Sequence, residues 1–193
     1  MKANETHNES SLVCAACEGD KEALQALLTR HWSWLRALVY SVLAGVQDLD
    51  DVMQEVCLRV ITRIHTLREP ECFRAWLAVL ARREALKHCQ RRIPVTLGVD
   101  AESELLQTPG HVDEPLEELE RQELRRQILD AVQALPQIYR EVFLLAHTGE
   151  LTYAQMAEVL DVPITTVQIR LVRARRMIQD QVLGKSERKV HER

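Results

Sequence analysis

Leu151-Thr152-Tyr153-Ala154-Gln155-Met156-Ala157-Glu158-Val159-Leu160-Asp161-Val162-Pro163-Ile164-Thr165-Thr166-Val167 contains one helix start, one helix stop and a second helix start. A Thr followed three positions later by Gln predicts a capping box, with the Thr152 hydroxyl accepting from the Gln155 backbone and the Gln155 amide reaching back to Thr152. Ala157 is small where two helices must cross closely. Asp161 tolerates a left-handed turn, and Pro163 suits the first turn of the next helix. Beyond it Val167, Leu171, Ala174 and Ile178 fall on one face. Thr165, Thr166, Gln168, Ile169, Arg170, Arg173 and Arg176 fall on the other. Short polar groups near a helix N-terminus followed by arginines fit a helix that lies in a DNA major groove. The competing reading is an ordinary helical hairpin with a solvated basic face.

The rest of the chain is also helical in pattern. From Asp20 to Leu43, Leu24, Leu27, Leu28, Leu35, Leu38, Val39 and Val42 recur at three- and four-residue spacing, and Gly45 is expected to close that helix. A second stripe runs Leu49, Val52, Met53, Val56, Val60, Ile61 and Ile64. Arg68-Glu69-Pro70 interrupts it, and a third helix is expected from Glu71 to Arg92, ended by Pro94. Leu116, Leu119, Leu124, Ile128, Val132 and Leu135 begin another helical set that Pro136 breaks, and the segments 136–147, 152–160 and 163–182 are helical in pattern too. No alternating strand pattern and no internal repeat is present. The 193 residues are 46% hydrophobic and 28% charged, and no apolar run reaches the ~20 residues of a membrane span. The polar N-terminus Met1-Lys2-Ala3-Asn4-Glu5-Thr6-His7 lacks a secretory signal, so cytoplasmic residence is expected, with cysteines as thiols.

The net charge of −4 argues against nucleic acid only until it is divided along the chain. Residues 1–97 hold 13 basic and 12 acidic side chains, 98–120 hold 0 and 8, and 121–193 hold 12 and 9. Acidity is concentrated in the segment that also contains Gly98, Pro109, Gly110 and Pro115. That segment reads as a linker between two all-helical bundles. The expected boundaries are 11–97, linker 98–120, 121–183 and a polar tail 184–193.

In the first half, Asp51, Gln54, Glu55 and Leu58 form a second face distinct from the buried stripe. Spacing alone leaves both a docking surface and a solvated helix open. Here the sequence closely resembles the extracytoplasmic-function sigma factors of the sigma-70 family. The matching segments are 48–59, Phe73-Arg74-Ala75-Trp76-Leu77 and Ala81-Arg82-Arg83-Glu84-Ala85-Leu86 through Gln90-Arg91-Arg92. In the second half they are Leu135-Pro136, Arg140-Glu141-Val142-Phe143, Tyr153 through Leu171 and Arg173-Ala174-Arg175. Departures are Thr165 at the usual Gly, Gln168 at the usual Lys, Ile169 at the usual Ser and Cys57 at the usual aromatic. Three of these lie on the recognition helix, so relatives' promoter preferences do not transfer.

The resemblance implies an all-α protein of sigma regions 2 and 4. Asp48, Asp51, Gln54, Glu55 and Leu58 would dock on the coiled-coil clamp of the largest subunit of RNA polymerase core. The second-largest subunit's flap would be a further contact, and an anti-sigma factor a further partner. The helix from Phe73 and the 63–72 loop would capture the minus-10 element, with Arg74, Arg82, Arg83, Lys87, Arg91 and Arg92 attracting phosphates. Phe73 and Trp76 read as core packing ahead of base stacking. Thr165 through Arg176 would read the minus-35 element, Arg170 at a base, Arg173 and Arg176 at phosphates. The acidic linker would either mimic RNA in the polymerase channel or serve as a soluble tether.

Cys14 and Cys17 have CxxC spacing, but Cys57, Cys72 and Cys89 supply no second pair, so no metal and no cofactor is expected. No HExxH array or phosphate-binding glycine loop occurs, and no enzymatic site is expected. The alternative function is a helix-turn-helix repressor or activator with an N-terminal sensing or dimerising bundle.

Overall fold

The computed structural model describes residues 2–43, 47–91 and 115–191, with side chains for 9–43, 47–91 and 121–184. Among the described residues all regular structure is helical. The first unit comprises α1 (Lys2–Cys17), α2 (Lys21–Leu43), α3 (Leu49–Arg63) and α4 (Phe73–Arg91). Two single 3-10 turns, Ile64–Thr66 and Pro70–Cys72, carry the chain from α3 to α4 across the interruption read at Pro70. The second unit comprises α5 (Pro115–Gln133), α6 (Gln137–Thr148), α7 (Tyr153–Leu160) and α8 (Ile164–His191).

Local chemistry sets the helix ends. Asp20 starts α2, its Oδ1 accepting from the N–H groups of Glu22 at 2.9 Å and Ala23 at 3.1 Å. Gly149 ends α6 at φ +67°, a left-handed conformation that glycine adopts without a Cβ clash. The core of the first unit is the expected stripe, with Leu27, Leu35, Val56, Val60, Phe73 and Leu77 fully buried. Each such side chain contributes about 1.5–3 kcal/mol on leaving water. In the second unit Val167, Leu171, Ala174 and Ile178 are buried, the face read from their spacing.

Three boundaries differ from the sequence reading. Helix α1 lies outside the expected first domain for most of its length, because its first half is polar and carries no apolar period. Its buried anchors are Val13 and Ala16, joined by the carboxylate of Glu9. Helix α5 begins at Pro115, inside the expected linker. Proline fits a first helical turn. Helix α8 continues to His191 through the expected polar tail. Gly45, Arg92, Pro94 and residues 98–114 of the linker lie outside the described residues.

The two units pack directly on one another. Helix α2 lies against α6 and α4 against α7, and one apolar cluster runs from Leu38 and Leu77 through Val142, Leu145 and Val159. A smaller cluster of Ala131, Val132, Leu135, Ala174 and Ile178 joins α5 to α8.

Candidate functional site

Helices α7 and α8 form the helix-turn-helix. The capping box is present in both directions. The Gln155 N–H donates to the Thr152 hydroxyl at 3.3 Å, and the Thr152 N–H donates to Gln155 Oε1 at 2.9 Å. Asp161 takes φ 54°, ending α7 in the left-handed turn, and its N–H returns to the last turn of that helix. The Pro163 carbonyl accepts from Thr166 and Val167, which opens α8. Ala157 is buried at the crossing. Of the seven candidate reading residues, Thr165, Gln168, Ile169, Arg173 and Arg176 are exposed, while Thr166 and Arg170 are half-buried. Arg176 stands 3.9 Å from Asp180, a loose surface pair that a phosphate can displace.

On α3 the residues Asp51, Gln54, Glu55 and Leu58 are exposed and the intervening Val52, Met53 and Val56 are buried. Leu58 retains 51% of its surface, an apolar group on an otherwise polar face. Asp48 stands apart from that exposed set. It is half-buried at the start of α3, with Oδ2 3.5 Å from Nε2 of His88 on α4.

The basic residues of α4 divide into two groups. Arg83 and Arg91 are exposed, and Lys87 stands 3.4 Å from Glu84 one turn away. Arg82 and Arg74 are instead engaged by the second unit. Arg82 Nε donates to Glu141 Oε2 of α6 at 2.7 Å, where the carboxylate retains 3% of its surface. Arg74 grips Glu9 of α1 through two hydrogen bonds of 2.8 and 2.6 Å, and its other terminal nitrogen stands 3.1 Å from Glu150 in the α6–α7 turn. The 63–72 loop leaves His65, Arg68 and Glu71 exposed beside α4. Phe73 is fully buried and Trp76 half-buried, with ring centroids 6.1 Å apart, so Phe73 belongs to the core.

Beneath Arg74 lies a titratable cluster that sequence inspection did not single out. His31 on α2 is 1% exposed, and Trp34 Nε1–H donates to its Nδ1 at 2.9 Å. That donation requires Nδ1 to be bare, so the neutral ring carries its proton on Nε2, which faces Glu9 Oε1 at 3.6 Å. Burial lowers the His31 pKa to about 4, helped by the charges of Arg74 and Arg30 and opposed by Glu9. For Glu9 burial alone would raise the pKa. The Arg74 hydrogen bonds and charge outweigh it, so the carboxyl sits below its ordinary value. The partners are separated by 65 residues in the chain, and no local pattern announces them.

Arg140 of α6 is another buried charge, and the resemblance gave it no role. Its Nε donates to the Ser41 carbonyl at 2.8 Å, and Nη1 donates to the carbonyls of Gln133 at 3.0 Å and Leu135 at 2.9 Å. Ser41 lies in the last turn of α2, and Gln133 is the last residue of α5. In general the last four carbonyls of a helix lack donors within that helix. One guanidinium thus caps two helices, one in each unit, at their negative ends. Cys14 is exposed on α1, whereas the Cys17 thiol donates to the Ile64 carbonyl at 3.2 Å and is pushed up in pKa by burial. Among the described residues no group of three His, Cys, Asp or Glu side chains is arranged to hold a metal, and no helix is long and apolar enough to cross a membrane.

Comparison with known proteins adds to this geometry. Residues 27–93 match the family description "Sigma-70 region 2" and residues 125–178 match "Sigma-70, region 4". The ECF RNA polymerase sigma-E factor of Haemophilus influenzae is 30% identical over 180 residues, covering 90% of this chain and 95% of the relative. The factor described in the same words from Escherichia coli K12 is 28% identical over 185 residues, covering 93% and 96%. Among solved structures, CnrH in complex with the cytosolic domain of CnrY superposes with TM-score 0.64 at 21% identity, covering 91% of this chain and 97% of that one. The sigma factor RpoE of Bartonella quintana, in complex with the anti-sigma factor NepR, superposes with TM-score 0.64 at 17% identity, covering 82% and 95%. These two share the fold.

Proposed function

The chain belongs to the extracytoplasmic-function group of the sigma-70 family, and from that premise we propose how its surfaces divide the work of promoter-specific transcription initiation. It is a DNA-binding regulator that gives RNA polymerase core its promoter choice. The face of α3 bearing Asp51, Gln54, Glu55 and Leu58, with Asp48 at its edge, docks on the clamp coiled coil of the largest subunit. Helix α4, through Arg74, Arg82, Arg83, Lys87 and Arg91, with Arg92 beyond it, follows the minus-10 strand. The face of α8 from Thr165 to Arg176 reads the minus-35 element beside the second-largest subunit's flap. Residues 11–97 and 121–183 are the functional domains and 98–120 the tether between them. The protein acts as a non-enzymatic adaptor alongside polymerase in the cytoplasm, and an anti-sigma factor is a fitting regulator.

The observation that carries this reading is the pairing of two surfaces on one chain. A polar helix face with an exposed Leu58 precedes a capped helix-turn-helix whose second helix presents Gln168, Arg170 and Arg173 outward. A repressor needs the second surface, and would use the first only to sense or dimerise rather than to hold core polymerase. Run-off transcription with purified core polymerase tests it. Discrete transcripts that depend on the added chain are expected, together with retention of core in a pull-down. DNA binding without any affinity for core would refute the reading and favour a helix-turn-helix repressor.

A further inference from the structure

Two stripes run along α8 with the same spacing. Val167, Leu171, Ala174 and Ile178 are buried, at steps of four, three and four residues. Thr165, Ile169, Val172 and Arg176 repeat those steps two residues earlier, and all four are exposed. Two residues turn a helix by about 200°, so the second stripe lies on the side of α8 directly away from the core. Its middle is apolar. Ile169 retains 53% of its surface and Val172 66%, one turn apart, with Thr165 before them, Arg176 after them and the exposed Arg173 beside them. Isoleucine and valine are poorer helix formers than alanine, and each leaves more than half of its surface in water here, so neither helix propensity nor the core accounts for the pair. A patch of two side chains, ended by Thr165 and Arg176, is also far smaller than the roughly 800 Å² per partner of a stable protein interface.

We propose that Ile169 and Val172 read thymine through its C5-methyl group, so that part of α8 chooses bases by apolar contact rather than by hydrogen bonding. The inference rests on the reading of α8 as the minus-35 helix and deepens it by naming the base chemistry. The thymine methyl is the one methyl group that the four bases present on their major-groove edges. Burying it against a branched aliphatic side chain takes apolar surface of both partners out of water. Cytosine or guanine in the same place would bring an amino or carbonyl group against a side chain that offers it no hydrogen bond, and that group would lose its water. The pair thus selects twice, for thymine and against the polar edges. Ile169 and Val172 are three residues apart, about 4.5 Å along the axis against about 3.4 Å per base step, so the two methyl contacts fall on neighbouring base pairs. Arg173 and Arg176, beside the pair, supply the phosphate attraction that brings the helix into the groove.

The test uses the full-length chain with core polymerase. Holoenzyme first selects duplexes from a pool randomised through both promoter elements. In the upstream element of the enriched sequence each thymine is then replaced by deoxyuridine, which removes the methyl group and leaves every hydrogen-bonding group in place, and affinity is read by fluorescence anisotropy. One methyl group leaving water is worth about fourfold in affinity. Wild-type holoenzyme should lose about that factor at each of two neighbouring thymines. Ile169→Ala should bind thymine and deoxyuridine alike at one of these positions, and Val172→Ala at the other. At either position 5-methylcytosine should bind the wild type more tightly than cytosine by the same factor, and the matching variant no more tightly. Both side chains are exposed, so truncation leaves the core untouched, and circular dichroism checks helical content. Arg173→Ala is the contrast, weakening both bases equally. An upstream element without thymine, equal affinity for thymine and deoxyuridine throughout, or a deoxyuridine penalty that survives in both variants overturns the proposal and leaves the minus-35 assignment standing. Enrichment of no upstream sequence removes that assignment, and the thymine reading falls with it.

Discussion

Acidification from pH 6.5 to pH 4.5 should cost the folded chain about 2 kcal/mol through His31 alone. The ordinary imidazole pKa is 6.5, and the buried ring is held at about 4. Between those values the unfolded chain takes up a proton at His31 and the folded chain does not. Stability is therefore full well above pH 6.5 and falls with decreasing pH, with a slope that approaches but does not exceed about 1.4 kcal/mol per unit for one proton. The geometry gives the same sign independently. Protonating Nδ1 would set one N–H against the Trp34 N–H that now donates to it at 2.9 Å. Glu9, ordinarily near 4.5 and lowered here, loses its contribution only below that window, so the upper range belongs to the histidine. Urea unfolding at intervals across the range, followed by tryptophan fluorescence, gives the slope, and His31→Gln removes the titrating group. The variant should be flatter by about one proton equivalent. Coincident slopes, or a directly titrated His31 pKa of 6.5 or above, would refute the reasoning.

Replacing Asp51, Gln54 and Glu55 together with Ala should weaken core binding in a pull-down and leave helical content unchanged, since all three are exposed; unchanged affinity would remove the docking assignment. In holoenzyme, Arg170→Ala should lower discrimination at one minus-35 base pair by about 1–3 kcal/mol, whereas Arg173→Ala and Arg176→Ala should each reduce the salt slope by about one without changing sequence preference. Phe73→Ala should cost about 3–5 kcal/mol in chemical denaturation because the ring is fully buried, and a loss below about 1 kcal/mol would refute its placement in the core. Chelator should leave the melting temperature unchanged. A large drop would make Cys14 and Cys17 parts of a metal site that supplies folding free energy.

The helix-turn-helix was legible because its determinants are local. Thr152 and Gln155 are three positions apart, Asp161 turns within its own residue, and the Val167, Leu171, Ala174 and Ile178 face follows from a fixed helical period. The exposed face of α3 was legible for the same reason. Helix α1 was not, because its first half carries no apolar period and its buried Glu9 meets Arg74, a contact that exists only once α4 is in place. The start of α5 was legible as an apolar period from Leu116, one residue from the observed Pro115, while the linker boundary at 120 followed the acidic composition instead.

By itself, then, the sequence determined the helical class, the two-part order, the helix-turn-helix and the exposed faces of α3 and α8, each of them set by periods and caps within a few residues. Only the tertiary structure decided that the two parts close on each other, that Arg82 and Arg74 are occupied by Glu141 and Glu150, that Arg140 caps α2 from the other unit, and that His31 stays neutral. The charge and carbonyl pairs among these lie about 60 to 100 positions apart, and the neutrality of His31 follows from its burial in the assembled core. Coulomb attraction, desolvation and capping act through distance in space, and a linear pattern does not carry that distance.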